Sequence, residues 1–470
     1  MNATTRFAAI FAASALAASA VAAQPASATK TTDAAPAAST VTDSTRKDST
    51  KASEKTPPAA ASYAPQIGIR RMRPVDQRGI NVFETQKRDA VPYNGFKLEW
   101  GGAFTQQFQN LDHSNTAAPR MSGTTNLNAL VPIGAGFNNA VANLYLNAQL
   151  APGIRVAMTS YMSSRHHNEM WVKDGYLLVD ESPIKIAALE KLMEYVTIKA
   201  GHFEINYGDA HFRRTDNGNA MYNPLVGNYI LDAFTTQIGG EVLVRKGAFL
   251  AMGGVTGGEV RGVVRTPEKR SPAFLGKIGF DKQFSENLRV RLTGSMISQT
   301  RSANNTLYTG DRAGSRYYSV MDSTTSTEAA QAWSGAIQPG FASSVHANVI
   351  NPFIKFGGLE LFGNFETAKG RAATETAARQ WKQNVYEATY RFLNDQLFVA
   401  GRYNTAKGSL RGINNEVELD RSHFGGGWFL THNIMLKGEY VTQKYNKFPT
   451  TDLRNGGKFN GFVVEGVVAF

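Results

Sequence analysis

Between positions 206 and 235 the chain carries a long run rich in polar and charged side chains. Tyr207, Asp209, His211, Arg213, Arg214 and Asp216 come first, then Tyr222, Asn223, Tyr229 and Asp232. Two adjacent guanidinium groups flanked by carboxylates suit a charged aperture. Opposed fixed charges beside a thin water column set both a transverse field and a size limit. They do not suit a reaction centre. A barrel hydrolase needs Ser, His and Asp drawn together, and no spacing in the chain selects such a group. The chain has 8 His, with one adjacent pair, His166-His167, which reads as a solvated loop rather than a metal site. The absence of Cys excludes disulfides and thiolate ligands. No Gly-rich loop precedes a helix to cradle phosphate. No catalytic residue, cofactor or metal ligand is assigned.

A second set of charges recurs at alternate positions, and the elements that carry it follow from that period. Phe96, Leu98 and Trp100 alternate with Lys97 and Glu99. Leu144, Leu146, Ala148 and Leu150 alternate with Asn143, Tyr145, Asn147 and Gln149. Beyond the turn Ala151-Pro152-Gly153, Ile154, Val156 and Met158 alternate with Arg155, Ala157 and Thr159. Period two is the mark of a strand with two unlike faces. Further strands are predicted near 168–179, 194–205, 236–246, 248–257, 272–283, 287–299, 342–356, 358–368, 381–393, 396–406, 416–429, 433–445 and 459–470. The total is about sixteen, or fourteen to eighteen given boundary errors of about two to four residues.

Short turns at 246–247, 285–287, 357–358, 394–396 and 431–433 alternate with long connections at 110–139, 206–235, 300–341 and 446–457. Short turns on one side and long loops on the other are the arrangement of a membrane barrel. No apolar run of about 18 residues follows the N-terminus, so membrane-spanning helices are not expected. The fold class is all-β: a transmembrane antiparallel up-and-down β-barrel. One short-side connection, 180–194, is long, and the spacing of 186–193 predicts a short helix inside it. Glu416, Glu418 and Asp420 share the parity of Phe424, Trp428 and Leu430. That strand is expected to bulge near Arg421 or to start beyond the membrane.

The stretch 458–470 shows the pattern at its clearest. Phe462, Val464, Gly466, Val468 and Phe470 form one face, while Val463, Glu465, Val467 and Ala469 form the other. About ten alternating residues suffice to cross a bilayer. Taking the apolar parity as lipid-facing places eleven bases on the lumen wall: Lys97, Arg155, Lys199, Arg245, Lys277, Arg289, Arg291, Lys355, Arg391, Arg402 and Lys437. Seven acids join them: Glu99, Glu241, Glu360, Glu366, Glu387, Glu439 and Glu465. An Arg or Lys facing lipid at the midplane costs about 2–4 kcal/mol, so energy drives this assignment. A barrel of this size would leave an aqueous channel. Asp209, His211, Arg213, Arg214 and Asp216 are its expected constriction if the loop folds inward, and rim charges if it does not. The loop at 300–341, with Arg301, Asp311, Arg312 and Arg316, is the rival.

The N-terminal region differs in kind. Residues 1–23 read as a signal peptide: Arg6, an apolar stretch, then small residues to Val21-Ala22-Ala23. Residues 24–65 are rich in Ala, Ser, Thr and Pro and read as a disordered linker. Residues 66–94 carry Arg70, Arg71, Arg73, Arg78, Lys87 and Arg88 and are assigned as a periplasmic segment, or as a piece that enters the barrel. Residues 95–470 form the barrel. The formal charge of +12 would suit nucleic acid in a soluble chain; an exported chain rarely meets that partner, and none is assigned.

The stretch 195–208, Tyr-Val-Thr-Ile-Lys-Ala-Gly-His-Phe-Glu-Ile-Asn-Tyr-Gly, resembles a strand of the phosphate-selective porin O and P family, in which a similar stretch precedes a channel-narrowing loop. The terminal Phe470 resembles the segment that the barrel-assembly machinery of Gram-negative bacteria reads. The likeness covers about 95–470 and implies an outer-membrane porin, embedded in outer-membrane lipid and assembled as a homotrimer. Acids are mixed among the basic wall residues here. The expectation is therefore passive diffusion of small hydrophilic solutes with a mild anion preference, without covalent chemistry. The alternatives are a channel specific for phosphate or another anion, and a structural or adhesive barrel.

Removing residues 24–61 should leave barrel stability and conductance unchanged, because that composition cannot bury enough surface to offset its ordering entropy. Thermal unfolding and bilayer recordings of the truncated chain measure both.

Overall fold

The computed structural model describes residues 72–84, 93–164, 170–261, 264–309, 316–327 and 335–470. The expected signal peptide and linker, together with His166, His167, Asp311 and Arg312, lie outside the described residues. Sixteen long strands form the barrel: β1 (Lys97–Ser114), β2 (Val141–Ala151), β3 (Ile154–Ser163), β4 (Trp171–Val179), β5 (Val196–Glu204), β6 (Thr236–Lys246), β7 (Phe249–Thr256), β8 (Ala273–Gln283), β9 (Leu288–Gln299), β10 (Ser344–Phe356), β11 (Leu359–Arg371), β12 (Arg379–Phe392), β13 (Leu397–Gly408), β14 (Val417–Thr431), β15 (Ile434–Asn446) and β16 (Lys458–Ala469). Each pairs antiparallel with its sequence neighbours. β1 closes the sheet against β16, from Ala103 opposite Ala469 to Ser114 opposite Lys458. Closure leaves no unpaired edge, which is what lets strands sit in lipid. The expected helix is present as α1 (Ala187–Met193).

Alternation along each strand sorts the side chains. Phe96, Trp100, Phe249, Ile278, Ile350, Tyr386 and Phe424 stand exposed on the outer face, while Arg155, Lys277, Arg291 and Lys437 are buried inside. Hairpin turns at the short end use left-handed residues: Gly247 has φ 60° and Gly357 has φ 56°. β14 keeps its alternation through Arg421, and its register shift lies between Phe429 and Thr431. The expected bulge near Arg421 is therefore absent. The start of the strand turns its outward charges into surface pairs instead, Lys407 with Glu416 at 2.8 Å and Lys447 with Glu418 at 2.9 Å.

A true bulge occurs in β4. Thr159 pairs with Asp174 and Ser160 with Val172, so Lys173 has no opposite number. The extra residue breaks the alternation, and Lys173 and Asp174 are both buried on the inner side.

The expectation of an open lumen needs correction. The connection between β5 and β6 folds into the barrel, and the described residues of the connection between β9 and β10 pack over it. The Phe234 amide donates to the Leu307 carbonyl at 2.9 Å, and the Ile337 amide to the Ile230 carbonyl at 2.8 Å. Val226, Ile230 and Leu231 share one buried apolar cluster with Leu307, Tyr317, Ile337 and Phe341. Residues 72–84 enter as well: Phe83 packs edge-on against Phe212 and Phe353, with ring centres 5.7 and 5.5 Å away. Of the two placements considered for this segment, the described part takes the one inside the barrel. A lumen lined by polar side chains can hold this material because the material brings apolar groups to pack on one another.

Phe470 extends the last strand. Its amide and carbonyl both bond Gly102, at 2.9 and 2.8 Å, and its ring is 67% exposed on the outer face. Deleting Phe470, or the change Phe470→Asp, should lower the folded fraction in heat-shift electrophoresis of extracted membranes.

Candidate functional site

The inner wall holds the inward loop by its backbone. The Lys437 ammonium donates to the carbonyls of Ala220, Asn223 and Leu225, each at 2.8 Å, and pairs with Glu465 at 2.9 Å. Arg402 donates to the Gly227 carbonyl at 2.6 Å and pairs with Glu387 at 2.6 Å. Glu439 accepts from the Val226 amide at 2.9 Å. Gln383 bonds both the amide and the carbonyl of Leu231 at 2.8 Å, and Asn404 accepts from the Ile230 amide at 2.7 Å. Irregular backbone survives at membrane depth only when such partners exist. Three wall residues expected to face water, Arg402, Lys437 and Glu439, therefore hold the loop in place.

The five residues expected at the constriction divide into two groups. Asp209 and Arg213 point away from open space. Asp209 is completely buried. It receives both ends of the Arg291 guanidinium at 2.8 Å, the Thr293 hydroxyl at 2.8 Å and the Lys277 ammonium at 2.7 Å. Arg213 pairs with Glu387 at 2.8 Å and Glu360 at 3.6 Å, and donates to Asn81. Arg214, His211 and Asp216 turn to the opposite side. Arg214 pairs with Asp232 at 2.6 Å over the Phe234 ring. His211 contacts Glu204 at 3.2 Å and Asn206 at 3.1 Å. Asp216 contacts Lys173 at 2.5 Å and also Tyr161.

Most of the remaining wall bases are held as well. Arg155 meets Asp180 at 2.7 Å, Lys199 meets Glu241 at 3.1 Å, and Arg391 meets Glu360 at 2.8 Å. Arg289 holds Asp281 at 2.9 and 2.8 Å, and Arg245 donates to the Glu84 carbonyl at 2.5 Å. Lys355 is the loosest, 4.0 Å from Glu360 with its side chain 33% exposed. In the rival loop Arg316 is buried and donates to the Asn217 carbonyl. Both loops thus fold inward, one upon the other.

One side of the lumen stays partly open. A cavity of about 280 Å³ lies between the inward loop, residues 72–84 and the wall at β4 to β7, lined by Lys173, Asp174, Lys199, Glu204, Asp216 and Glu241 among others. Toward the short-turn end a larger vestibule of about 1060 Å³ is lined by Asp180, Glu190, Tyr195, Arg245 and Asp281. Lys199, Glu241 and Arg245 run from one to the other along adjacent strands. The lining of the smaller cavity carries three cations, Arg73, Lys173 and Lys199, against five carboxylates, Glu84, Asp174, Glu204, Asp216 and Glu241.

No protein-family model matches the chain, and no curated protein does. Among solved structures it is similar to an anion-selective porin from Comamonas acidovorans, at 11% identity and TM-score 0.49, covering 80% of this chain and 100% of that one. It is also similar to OmpT of Vibrio cholerae in its trimer form, at 11% identity and TM-score 0.48 with the same coverage. DcaP, an outer-membrane channel of Acinetobacter baumannii, shows 9% identity and TM-score 0.47, covering 81% and 99%.

The sequence assigns no role in the lumen to Lys173, Asp174, Glu204, Asp281 or Glu84. Asp281 has the inward parity of Lys277 and was legible by that rule. Lys173 was not, because the bulge that turns it inward has no local signal. The change Lys437→Met should leave three loop carbonyls and Glu465 without their cation. Removing one partner of such a buried set costs about 3–5 kcal/mol. The temperature at which the folded band converts to the unfolded one in gel electrophoresis should fall accordingly.

Proposed function

We propose that this chain is an outer-membrane porin that passes small hydrophilic solutes by diffusion, through a lane along β4 to β7 rather than through an open lumen. The observation that carries this is the charged, partly open cavity in line with a vestibule, inside a barrel whose other contents are packed. The closed barrel with its apolar outer face and the expected signal peptide support the outer membrane as its place. The family resemblance supports a homotrimer.

The lane also bears on selectivity. The basic surplus of the wall supported a mild anion preference, but most of those bases are held by carboxylates from the inward loop, from residues 72–84 and from the wall itself. The lane's own lining has two more carboxylates than cations. A low-dielectric wall focuses such a field, and salt screens it over about 10 Å at 0.1 M. We propose a mild preference for cations at low salt, fading as salt rises, and no phosphate specificity. A second reading, a structural or adhesive barrel, is favoured by the packed lumen.

Planar-bilayer recordings separate these readings. The channel should show small steps, below those of a barrel with an open lumen, and a zero-current potential on the cation side. The pair of changes Glu204→Gln and Asp216→Asn should move that potential toward anions. An absence of steps above lipid background would leave the structural barrel. An anion-selective wild type would mean that the lane is not the path.

A further inference from the structure

We propose that residues 72–84 are a displaceable plug whose Phe83-Glu84 pair imitates a ligand, and that the site beneath it takes a small carboxylate with an apolar ring. The inference deepens the channel reading and rests on it for its functional meaning.

The segment is built as a self-contained unit. Its turn bonds are internal: Gly79 to the Asp76 carbonyl at 2.9 Å, Ile80 to the Gln77 carbonyl at 3.1 Å, Val82 to the Gly79 carbonyl at 3.2 Å. Arg73 folds back on the Gly79 carbonyl at 3.0 and 2.8 Å, and Arg78 closes on Asp76. Gly79 is required for this fold, since a Cβ there would lie 2.0 Å from the Pro74 carbonyl oxygen. No strand of the barrel pairs with the segment. Its withdrawal would break the Glu84 ion pairs with Lys277 and Arg291 and the hydrogen bonds that tie the segment to the wall and the inward loop, among them Gln77 to His432, Arg213 to Asn81, Asn81 to Glu360 and Tyr222 to Pro74, and would leave the sheet intact.

What lies beneath is a cationic site. Glu84 contacts Lys277 at 2.8 Å and Arg291 at 2.8 Å, and accepts from Asn206 at 3.3 Å. Arg289 and Arg245 bond the carbonyls of Asn81 and Glu84. Once the segment leaves, these four cations face only Asp209 and Asp281. An incoming carboxylate would restore the third negative charge. The Phe83 place has its own chemistry: the Arg291 and Arg289 guanidinium carbons stand 4.2 and 5.2 Å from the ring centre, and Phe212 and Phe353 flank it. A carboxylate attached to an aromatic ring would satisfy both halves, through a charge-assisted pair and through cation–π and ring contacts. Phe83 and Glu84 also line the lane cavity, while Arg245 lines the vestibule. The plug stands where the two meet.

The test uses the full chain, which has no Cys of its own. The Gln77 amide donates to the His432 carbonyl at 3.0 Å, so the changes Gln77→Cys and His432→Cys set two thiols side by side. Benzoate should slow disulfide formation between them several-fold, and benzyl alcohol, its uncharged counterpart, should not. In bilayers the reduced protein should respond to benzoate with larger steps, and the oxidised protein should not. Glu84→Gln should enlarge the steps without benzoate. Benzoate slowing cross-linking in a protein that never conducts would uphold the site and overturn the channel reading. Cross-linking indifferent to benzoate, with Glu84→Gln conducting like the wild type, would overturn the plug.

Discussion

A backbone that leaves the sheet and crosses the interior of a membrane barrel must find a partner for every amide and carbonyl it carries. Most of what is specific to this molecule follows from that requirement. The connection between β5 and β6 is long and irregular, so it cannot satisfy itself as a helix would. The wall answers with long donors and planar amides. Lys437 reaches three carbonyls at once, and Gln383 mimics a strand by bonding both groups of Leu231. The inward charges are thus an anchoring lattice before they are anything else.

Anchoring has an electrostatic corollary. Buried cations need counter-charges, and removing either member of a buried pair costs more than the pair itself contributes. The inward loop and residues 72–84 bring those counter-charges: Asp209 and Glu84 lie against Lys277 and Arg291. The inward loop and residues 72–84 carry five carboxylates against four Arg, so they pair particular wall bases without cancelling the surplus of four that the wall shows. The lane differs because its carboxylates outnumber its cations. Lys173, carried inward by the β4 bulge, shares Asp174, Glu204 and Asp216. Local imbalance, and not the net charge of the chain, sets the field a permeating ion would meet.

The three inserted pieces depend on one another in order. The described residues of the loop between β9 and β10 pack on the loop between β5 and β6. Residues 72–84 use that same inner loop as a floor: Tyr222 donates to the Pro74 carbonyl, and Arg73 lies 3.6 Å above the Tyr222 ring. The inner loop cannot move without losing its lattice, and the outer pieces are bonded to the loop and to the wall in turn, Asn81 to Arg213 and Tyr317 to Glu439.

The sequence by itself determined the barrel. Strand count, the alternation of faces, the helix near 187–193 and most strand limits were legible; the exception is β1, which runs to Ser114, inside the loop expected at 110–139. Each depends on neighbours a few residues apart, and lipid penalises any charge on the wrong face. It also marked 206–235 as the connection whose charges are suited to the lumen. Only the tertiary structure decided what those side chains do. Arg213 finds Glu387, Lys437 finds Ala220 and Glu84 finds Lys277 across the lumen, and no local period encodes a partner so distant in the chain. Parity failed at Lys173, where one unpaired residue in β4 reverses the face. It was silent about residues 72–84, whose place is set by the cations already waiting inside the closed barrel.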